Sequence, residues 1–316
     1  MTIEQVFMKT YVAITDGNWF RYLSSLPGID EVNFWQPGGS HAFRALNPGE
    51  PFLFKLHSPD NYIVGGGFFA YSTILPCSLA WSTFGNKNGA SLLIEMRGRI
   101  EQYRRTAPTQ QDYRIGCILL EQPFFFLRNN WIPVPEDWSI SIQQGKRYDL
   151  TTGLGKQLWE QVQQRLFTMP GLMKEEAVVS EPATRYREPQ LILPRLGQGS
   201  FRIIVTDVYN RRCAVTLERT LPALEASHIK PFAQDGPHDI RNGILLRSDL
   251  HRLFDQGYVT ITNDFRFEVS RRIREEFDNG RDYYALNGKK LNVPAKPEYR
   301  PALEFVSWHN ENIYLG

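Results

Sequence analysis

The sequence predicts an α+β protein of two domains: a strand-rich N-terminal domain over residues 1–167, a linker over 168–190, and a mixed domain over 191–316. Three observations predict this. Short apolar runs broken by glycine and proline fill residues 11 to 150, as strands joined by turns do. The stretch FTMPGLMKEEAVVSEPATRYREP combines a Pro-Gly step, acidic residues and two further prolines, which marks a linker. Beyond it, apolar periodicity returns in the order strand, loop, strand, helix. A chain of 316 residues also exceeds what a single core usually organises.

In chain order, YVAIT, PFLFKLH, NYIVGGGFFAYSTIL, RIGCILL and FFFL are the expected strands. Asn18–Leu26 and Asn88–Arg105 are expected helices, the second burying Leu92, Leu93, Met96 and Ile100. Thr151 and Thr152 precede KQLWEQVQQRL, a helix that closes the first domain. In the second domain Leu224–Ile229 is an expected strand, KPFAQDGPHDIRN a loop, and Gly243–Arg247 the returning strand. Ser248 is the expected N-cap of a helix over Asp249–Gln256, and Gly257 its left-handed stop.

Composition narrows the class only a little. With 42% hydrophobic and 13% aromatic residues both domains can bury cores, while a formal net charge of +2 gives no global footprint for a polyanion. Any basic surface must be local, and Arg195, Arg202, Arg211 and Arg212 are the candidates. Cys77, Cys117 and Cys213 are distant and odd in number, against a disulfide framework or a four-cysteine zinc site. The first residues lack the basic and apolar regions of a signal peptide, and no apolar run reaches the ~18 residues of a membrane span. A soluble protein of the cytoplasm, not associated with membranes, is expected.

The residues of chemical interest cluster in LEASHIKPFAQDGPHDIRNGILLRSDLHRLFD. His228 ends the first strand, Asn242 ends the loop, and His251 lies one turn into the helix with Asp255 four residues on, on the same face. This set suits hydrolysis of a phosphodiester. An imidazole with a pKa near neutrality can deprotonate water, which makes His228 the candidate base. A divalent cation needs oxygen or imidazole ligands on a rigid element, and His251 and Asp255 can supply them. An amide in the returning loop can fix the hairpin, a role for Asn242. Single histidines are usually structural, so weight rests on the combination; His238 and His309 are expected to be loop or packing residues.

With its spacing of fourteen residues from His228 to Asn242 and nine from Asn242 to His251, the segment resembles the HNH, or ββα-metal, nucleases of the restriction type. The likeness extends from RLGQGSFRIIVTDVYNRRCAVT to the terminal WHNENIY. It implies His228 as general base, Asn242 as the loop-fixing residue and His251 as a ligand of Mg²⁺ or Mn²⁺. Where relatives often carry an acidic or histidine ligand before the base, this chain has Ser227. Asp255 is therefore the first choice for second ligand and Glu225 the second.

No catalytic constellation stands out in the first domain; GGGFFA does not match a phosphate-binding glycine motif. FWQPGGSHAFRALNPGEPFLFKLHSPDNYIVGGGFFAYSTILP resembles the PUA-like superfamily, especially its EVE branch, through a turn at Gly49 and Glu50, a strand ending at His57 and Ser58, and a glycine-rich returning strand. The resemblance implies a small curved β-barrel that grips a modified base flipped from double-stranded DNA. A flipped base regains stacking between aromatic faces with polar groups at its edge. Trp35, Trp81 and Tyr62 are the expected stacking residues, and Asn33, Gln36, His57 and Ser58 the edge partners.

The expectation is thus a DNA endonuclease that reads modified cytosine, 5-methyl- or 5-hydroxymethylcytosine, with a PUA-like (EVE-like) barrel and cuts with a ββα-metal (HNH) site. A homodimer would supply two centres for a double-strand break. Two alternatives remain: an HNH nuclease indifferent to modification, and a non-catalytic nucleic-acid-binding protein on a degenerate HNH fold.

Overall fold

The computed structural model describes residues 8–104, 107–108, 110–169 and 196–316, which fall into two units, residues 1–194 and 195–316. The first unit contains β1 (Lys9–Thr15), α1 (Gly17–Ser24), β2 (Glu31–Gln36), β3 (Pro51–Leu56), β4 (Tyr62–Pro76), α2 (Cys77–Phe84), α3 (Leu93–Gln102), β5 (Arg114–Phe125), β6 (Ile132–Pro133), β7 (Gly145–Asp149) and α4 (Gly153–Thr168). The strands form one sheet in the order β2-β5-β4-β3-β1-β7, with β6 paired to β4. Among the described residues only β1 and β3 run parallel, in the register Tyr11↔Phe52 to Thr15↔Leu56; the other pairs are antiparallel.

Alternation along the strands separates two faces. Val12, Leu53, Ile63 and Phe124 pack with Leu158, Trp159, Val162 and Leu166 of α4 in one core. Phe52 and Phe54, flanking Leu53, join an aromatic cluster with Tyr11, Trp19, Phe34 and Phe43, with neighbouring ring centroids 4.9–6.2 Å apart. Gly65 and Gly66 let β4 approach its neighbours: a Cβ would lie 2.3 Å from the Phe124 carbonyl at Gly65 and 2.7 Å from that of Phe52 at Gly66. The glycine run is therefore a packing feature of the sheet.

Two expectations need correction. Barrel closure requires the terminal strands to share a ladder, and β2 and β7 do not pair; among the described residues the sheet is open, with α4 over one face. The expected helix over 88–105 begins only at Leu93, after a 3₁₀ turn over Gly85–Asn88, and buries Met96 and Ile100 while Leu92 is exposed. Helix α2 was not expected. The helix α4 extends to Thr168, the first residue of the expected linker, and residues 170–190 of that linker lie outside the described residues.

The second unit contains α5 (Gln198–Val208), β8 (Leu224–His228), β9 (Gly243–Arg247), α6 (Ser248–Asp255), β10 (Val259–Ile261), β11 (Phe267–Val269), α7 (Arg272–Phe277), α8 (Arg281–Tyr284) and α9 (Leu303–Asn312). β8 pairs antiparallel with β9 and β10 with β11. Their apolar faces share a core in which Phe201 and Val205 of α5, Ile244–Leu246 of β9, Leu250 and Phe254 of α6, and Val306 of α9 meet. Helix α6 starts at Ser248 with Arg247 as its cap and no side-chain capping bond, not with Ser248 as N-cap. Asp249 in its first turn instead takes a two-pronged contact from Arg247, at 2.6 and 2.7 Å. Gly257 has φ +77°, and a Cβ there would sit 2.0 Å from the Ile313 carbonyl, so only glycine ends the helix against this segment. All three cysteines are buried thiols. No helix among the described residues is long and apolar enough to cross a membrane.

Candidate functional site

The hairpin β8–β9 and helix α6 place the candidate residues within reach of one another. Pairing runs from Leu224↔Arg247 to His228↔Gly243, so His228 stands where the strands open into the 229–242 loop. Asn242, fully buried, ties that loop at its neck. Its Oδ1 accepts the Lys230 N–H at 2.8 Å, and its Nδ2 donates to the carbonyls of Lys230 at 3.0 Å and Pro237 at 2.9 Å. The Ile229 N–H donates to the Asn242 carbonyl at 2.8 Å. One side chain thus satisfies backbone groups on both sides of the loop.

The His228 ring lies flat against Phe201 of α5, centroids 3.9 Å apart and planes 8° from parallel. Burial, then the neighbouring His238, pulls its pKa down to about 4, against a smaller opposing pull from Asp255. The imidazole is therefore neutral at physiological pH and able to accept a proton. His251, one turn into α6, lies between two carboxylates: Nδ1 is 2.5 Å from Glu225 Oε2 of β8, and Nε2 is 3.2 Å from Asp255 Oδ2 on its own helix. Burial works against its charged form, but the two carboxylates outweigh it and raise the pKa.

One imidazole and two carboxylates, both carboxylates about half exposed, are the hard-oxygen and nitrogen donors that a Mg²⁺ or Mn²⁺ ion takes. The donor set fits such an ion. Among the described residues no three His, Cys, Asp or Glu side chains converge as a formed cage. The reason is geometric: Glu225 and Asp255 address different nitrogens of His251, so an ion shared with either nitrogen displaces one of the two hydrogen bonds. Ser227 is buried, and its hydroxyl donates to the adjacent His228 carbonyl.

Two histidines expected to be inert differ from one another. His309 of α9 is a packing residue, stacked on Phe254 and bonded to Thr260 Oγ1 and the Phe254 carbonyl. His238 sits in the loop, but its Nδ1 is 2.9 Å from His228 Nε2, which spacing along the sequence did not reveal. Of the expected backbone-contacting arginines, Arg202 is exposed on α5, Arg211 is paired with Asp207 at 2.8 Å, Arg212 is half-buried, and Arg195 lies outside the described residues.

In the first unit a cavity of about 760 Å³ opens among the end of β1, β2 and the end of α3. Trp35, Gln36 and His57 line it. The other four candidates for the base pocket lie outside this cavity. Trp81 lies on α2, away from the lining; Tyr62 is exposed and packs against Trp131. Asn33 points into the interior, its Nδ2 donating to Asn88 Oδ1 at 2.8 Å, and Ser58 is exposed in the turn after β3. Asn33 shares its strand face with Trp35, whose Nε1 donates to the Asn88 carbonyl at 3.1 Å, and its own bond to the Asn88 side chain holds it in the interior beneath that ring. Residues not anticipated include Tyr103, Asp16, Phe43, Arg104 and Gln144. The Tyr103 ring lies parallel to His57 at 5.7 Å and near Trp35 at 6.3 Å, and its hydroxyl donates to Asp16 Oδ2 at 2.8 Å. Burial and then the Asp16 contact push the Tyr103 hydroxyl up to about 12, so it remains a donor. These residues come from four separate segments, and only Tyr103 and Arg104 fell inside an expected element, the helix over 88–105, with nothing to mark them as cavity residues.

Comparison with known proteins bears on the second unit. The HNH_2 family, described as HNH endonuclease, matches residues 213–262, a span holding His228, His238, Asn242, His251 and Asp255. No curated protein sequence matches the chain. Among solved structures, a mutant ZmASCH protein from Zymomonas mobilis is 10% identical with a TM-score of 0.29, covering 47% of this chain and 92% of its own. The modification dependent TagI restriction endonuclease is 14% identical with a TM-score of 0.28, covering 96% of this chain and 81% of its own. Superpositions this loose do not define the fold of either unit. Residues 213–262 are an HNH endonuclease domain, and the chain that carries them is a metal-dependent nuclease.

Proposed function

We propose that this nuclease is a modification-dependent DNA endonuclease, reading a modified cytosine in double-stranded DNA with its first unit and cutting with its second. In this reading His228 takes the proton of the attacking water, Asn242 fixes the loop that follows the base, and His251 with Asp255, or alternatively Glu225, holds Mg²⁺ or Mn²⁺. Such an ion, when bound, offsets negative charge on the scissile phosphate and the leaving oxygen. Arg202 and Arg212, with Arg195 and Arg211, face the phosphate backbone. One centre cuts one strand, so a double-strand break requires a homodimer or two successive nicks. The domain division at 1–167, 168–190 and 191–316 and the kinship of the first unit with PUA-like, EVE-like readers belong to the same proposal.

The observation that carries it is the aromatic cavity. Its volume lies within the roughly 300–1,000 Å³ of small-ligand sites. Trp35, Tyr103 and His57 offer flat faces for a base, while Asp16, Gln36 and Gln144 offer acceptors and donors for its edge. Base flipping loses a few kcal/mol of stacking, which such walls restore.

Cleavage of matched duplexes carrying 5-methyl-, 5-hydroxymethyl- or unmodified cytosine tests the reading. A preference of about five- to a hundredfold for one modification is expected, and Tyr103→Ala should erase it with the protein still folded, whereas Trp35→Ala should erase it and also lower Tm, because that ring is buried. Equal cutting of all three would leave an HNH nuclease indifferent to modification. No cutting of any DNA with either ion would leave a degenerate binding fold.

A further inference from the structure

The 229–242 loop brings a second imidazole to the edge of the first. His238 Nδ1 lies 2.9 Å from His228 Nε2, with ring planes at 57° and centroids 4.9 Å apart, so the rings meet through their nitrogens and not their faces. Each is covered by a phenyl ring: Phe201 on His228 at 3.9 Å and 8°, Phe232 on His238 at 4.6 Å and 13°. The segment before His238 is held as well. Pro237 gives its carbonyl to Asn242, and the Gly236 N–H donates to the Pro231 carbonyl at 3.0 Å. The position of His238 is thus set by contacts independent of its own hydrogen bond.

A nitrogen-to-nitrogen contact of this length needs one N–H and one lone pair. Two arrangements satisfy it. If His238 donates, the neutral His228 carries its proton on Nδ1 and has no free lone pair. If His228 donates from Nε2, its Nδ1 keeps a lone pair, and among the described residues that atom makes no hydrogen bond. The charged and titratable groups acting on His228 are Asp255 and His251 of α6 and His238 of the loop, so the ring stands beside the candidate metal ligands. Only the second arrangement leaves the ring able to take a proton from water.

We propose that His238 is a positioning residue for cleavage: by accepting the Nε2–H of His228 at Nδ1, it fixes the base in the tautomer whose Nδ1 is available and holds the ring at its working angle. This rests on the reading of His228 as the base. The partner of an orienting histidine bond is often a carboxylate. An imidazole in that place supplies the acceptor through a ring nitrogen without the fixed negative charge of a carboxylate.

The test uses the full chain and supercoiled plasmid nicking with Mn²⁺, comparing His228→Ala with His238→Ala, His238→Phe and His238→Asn. Asparagine places Oδ1 where histidine has Nδ1, an acceptor at the same bond count from Cα, while phenylalanine keeps a ring on Phe232 without an acceptor. His238→Ala and His238→Phe should lower kcat about ten- to a hundredfold with KM and Tm unchanged, and His238→Asn should restore most of the rate. Independently of activity, ¹⁵N–¹H spectra of histidine-labelled, metal-free protein should show His228 as the Nε2–H tautomer in the parent and in His238→Asn, and a tautomer mixture in His238→Ala. A dead His228→Ala beside a fully active His238→Ala would overturn the role of His238 alone, as would an Asn variant as slow as Ala or a His228 protonated at Nδ1. Full activity of His228→Ala would overturn the assignment of the base, and the proposal with it.

Discussion

The residues easiest to place from the sequence were those whose proposed roles depend on local structure. His228, Asn242 and His251 sit at the end of a strand, the end of its return loop and the first turn of the next helix, so their spacing survives folding. Asn242 illustrates the physics: its three bonds to Lys230 and Pro237 are short-range contacts across one hairpin. Asn242→Ala leaves two loop carbonyls and an N–H without partners in a buried site, at a cost of about 1–3 kcal/mol for such groups. The expected result is a Tm lowered by several degrees and cleavage reduced well beyond the loss of folded protein; unchanged Tm and rate would show that the loop holds its shape without this amide. His238 and Tyr103 could not be read in this way. Each meets its partner, His228 or Asp16, only in the folded chain, and a loop histidine or a helix-end tyrosine carries no periodic mark.

At the scale of elements, periodicity revealed α4, β8, β9 and α6, each amphipathic or bounded by turn residues. It missed α2, whose CSLAWSTF follows β4 with few polar residues to mark a solvent face. It also gave no hint that β1 pairs parallel with β3, because that contact skips α1 and β2 and leaves both strands reading as ordinary apolar runs. The short helix α6 carries the sharpest prediction at this scale. It brings His251 and Asp255 to one face, while β8 brings Glu225 to the opposite nitrogen of the same ring. If Asp255 shares the ion, Asp255→Ala should raise the Mn²⁺ concentration needed for half-maximal cutting by about tenfold or more, with high Mn²⁺ restoring the rate. Glu225→Ala should then shift it far less. The reverse ranking would assign Glu225 as the ligand.

For the molecule as a whole, composition gave two cores but not the open sheet, since nothing in strand patterning says whether the first and last strands meet. The buried histidine of α9 makes a further property of the second unit predictable. His309 is held neutral, its pKa pulled down to about 4 by burial despite smaller upward pulls from the Phe254 carbonyl and Asp255. The unfolded chain binds that proton near pH 6.5, so between pH 6.5 and 4 the unfolded state holds more protons and stability falls as pH falls. The contribution reaches about 3 kcal/mol at the acid end, a large share of a typical 5–15 kcal/mol total. Urea unfolding of His309→Gln should show a shallower pH slope across that window than the parent; parallel slopes would mean that His309 does not govern the acid response.

The burial of Cys77, Cys117 and Cys213 has a practical consequence. Thiol-reactive dyes should leave the native protein nearly unlabelled, so a cysteine introduced at fully exposed Ile140 of the first unit and another at exposed Glu311 of the second become clean attachment points. Single-molecule energy transfer between dyes at these two positions, recorded on free protein and on DNA with and without modified cytosine, would then measure how far apart the two units stand at the moment of recognition and again as the strand is cut.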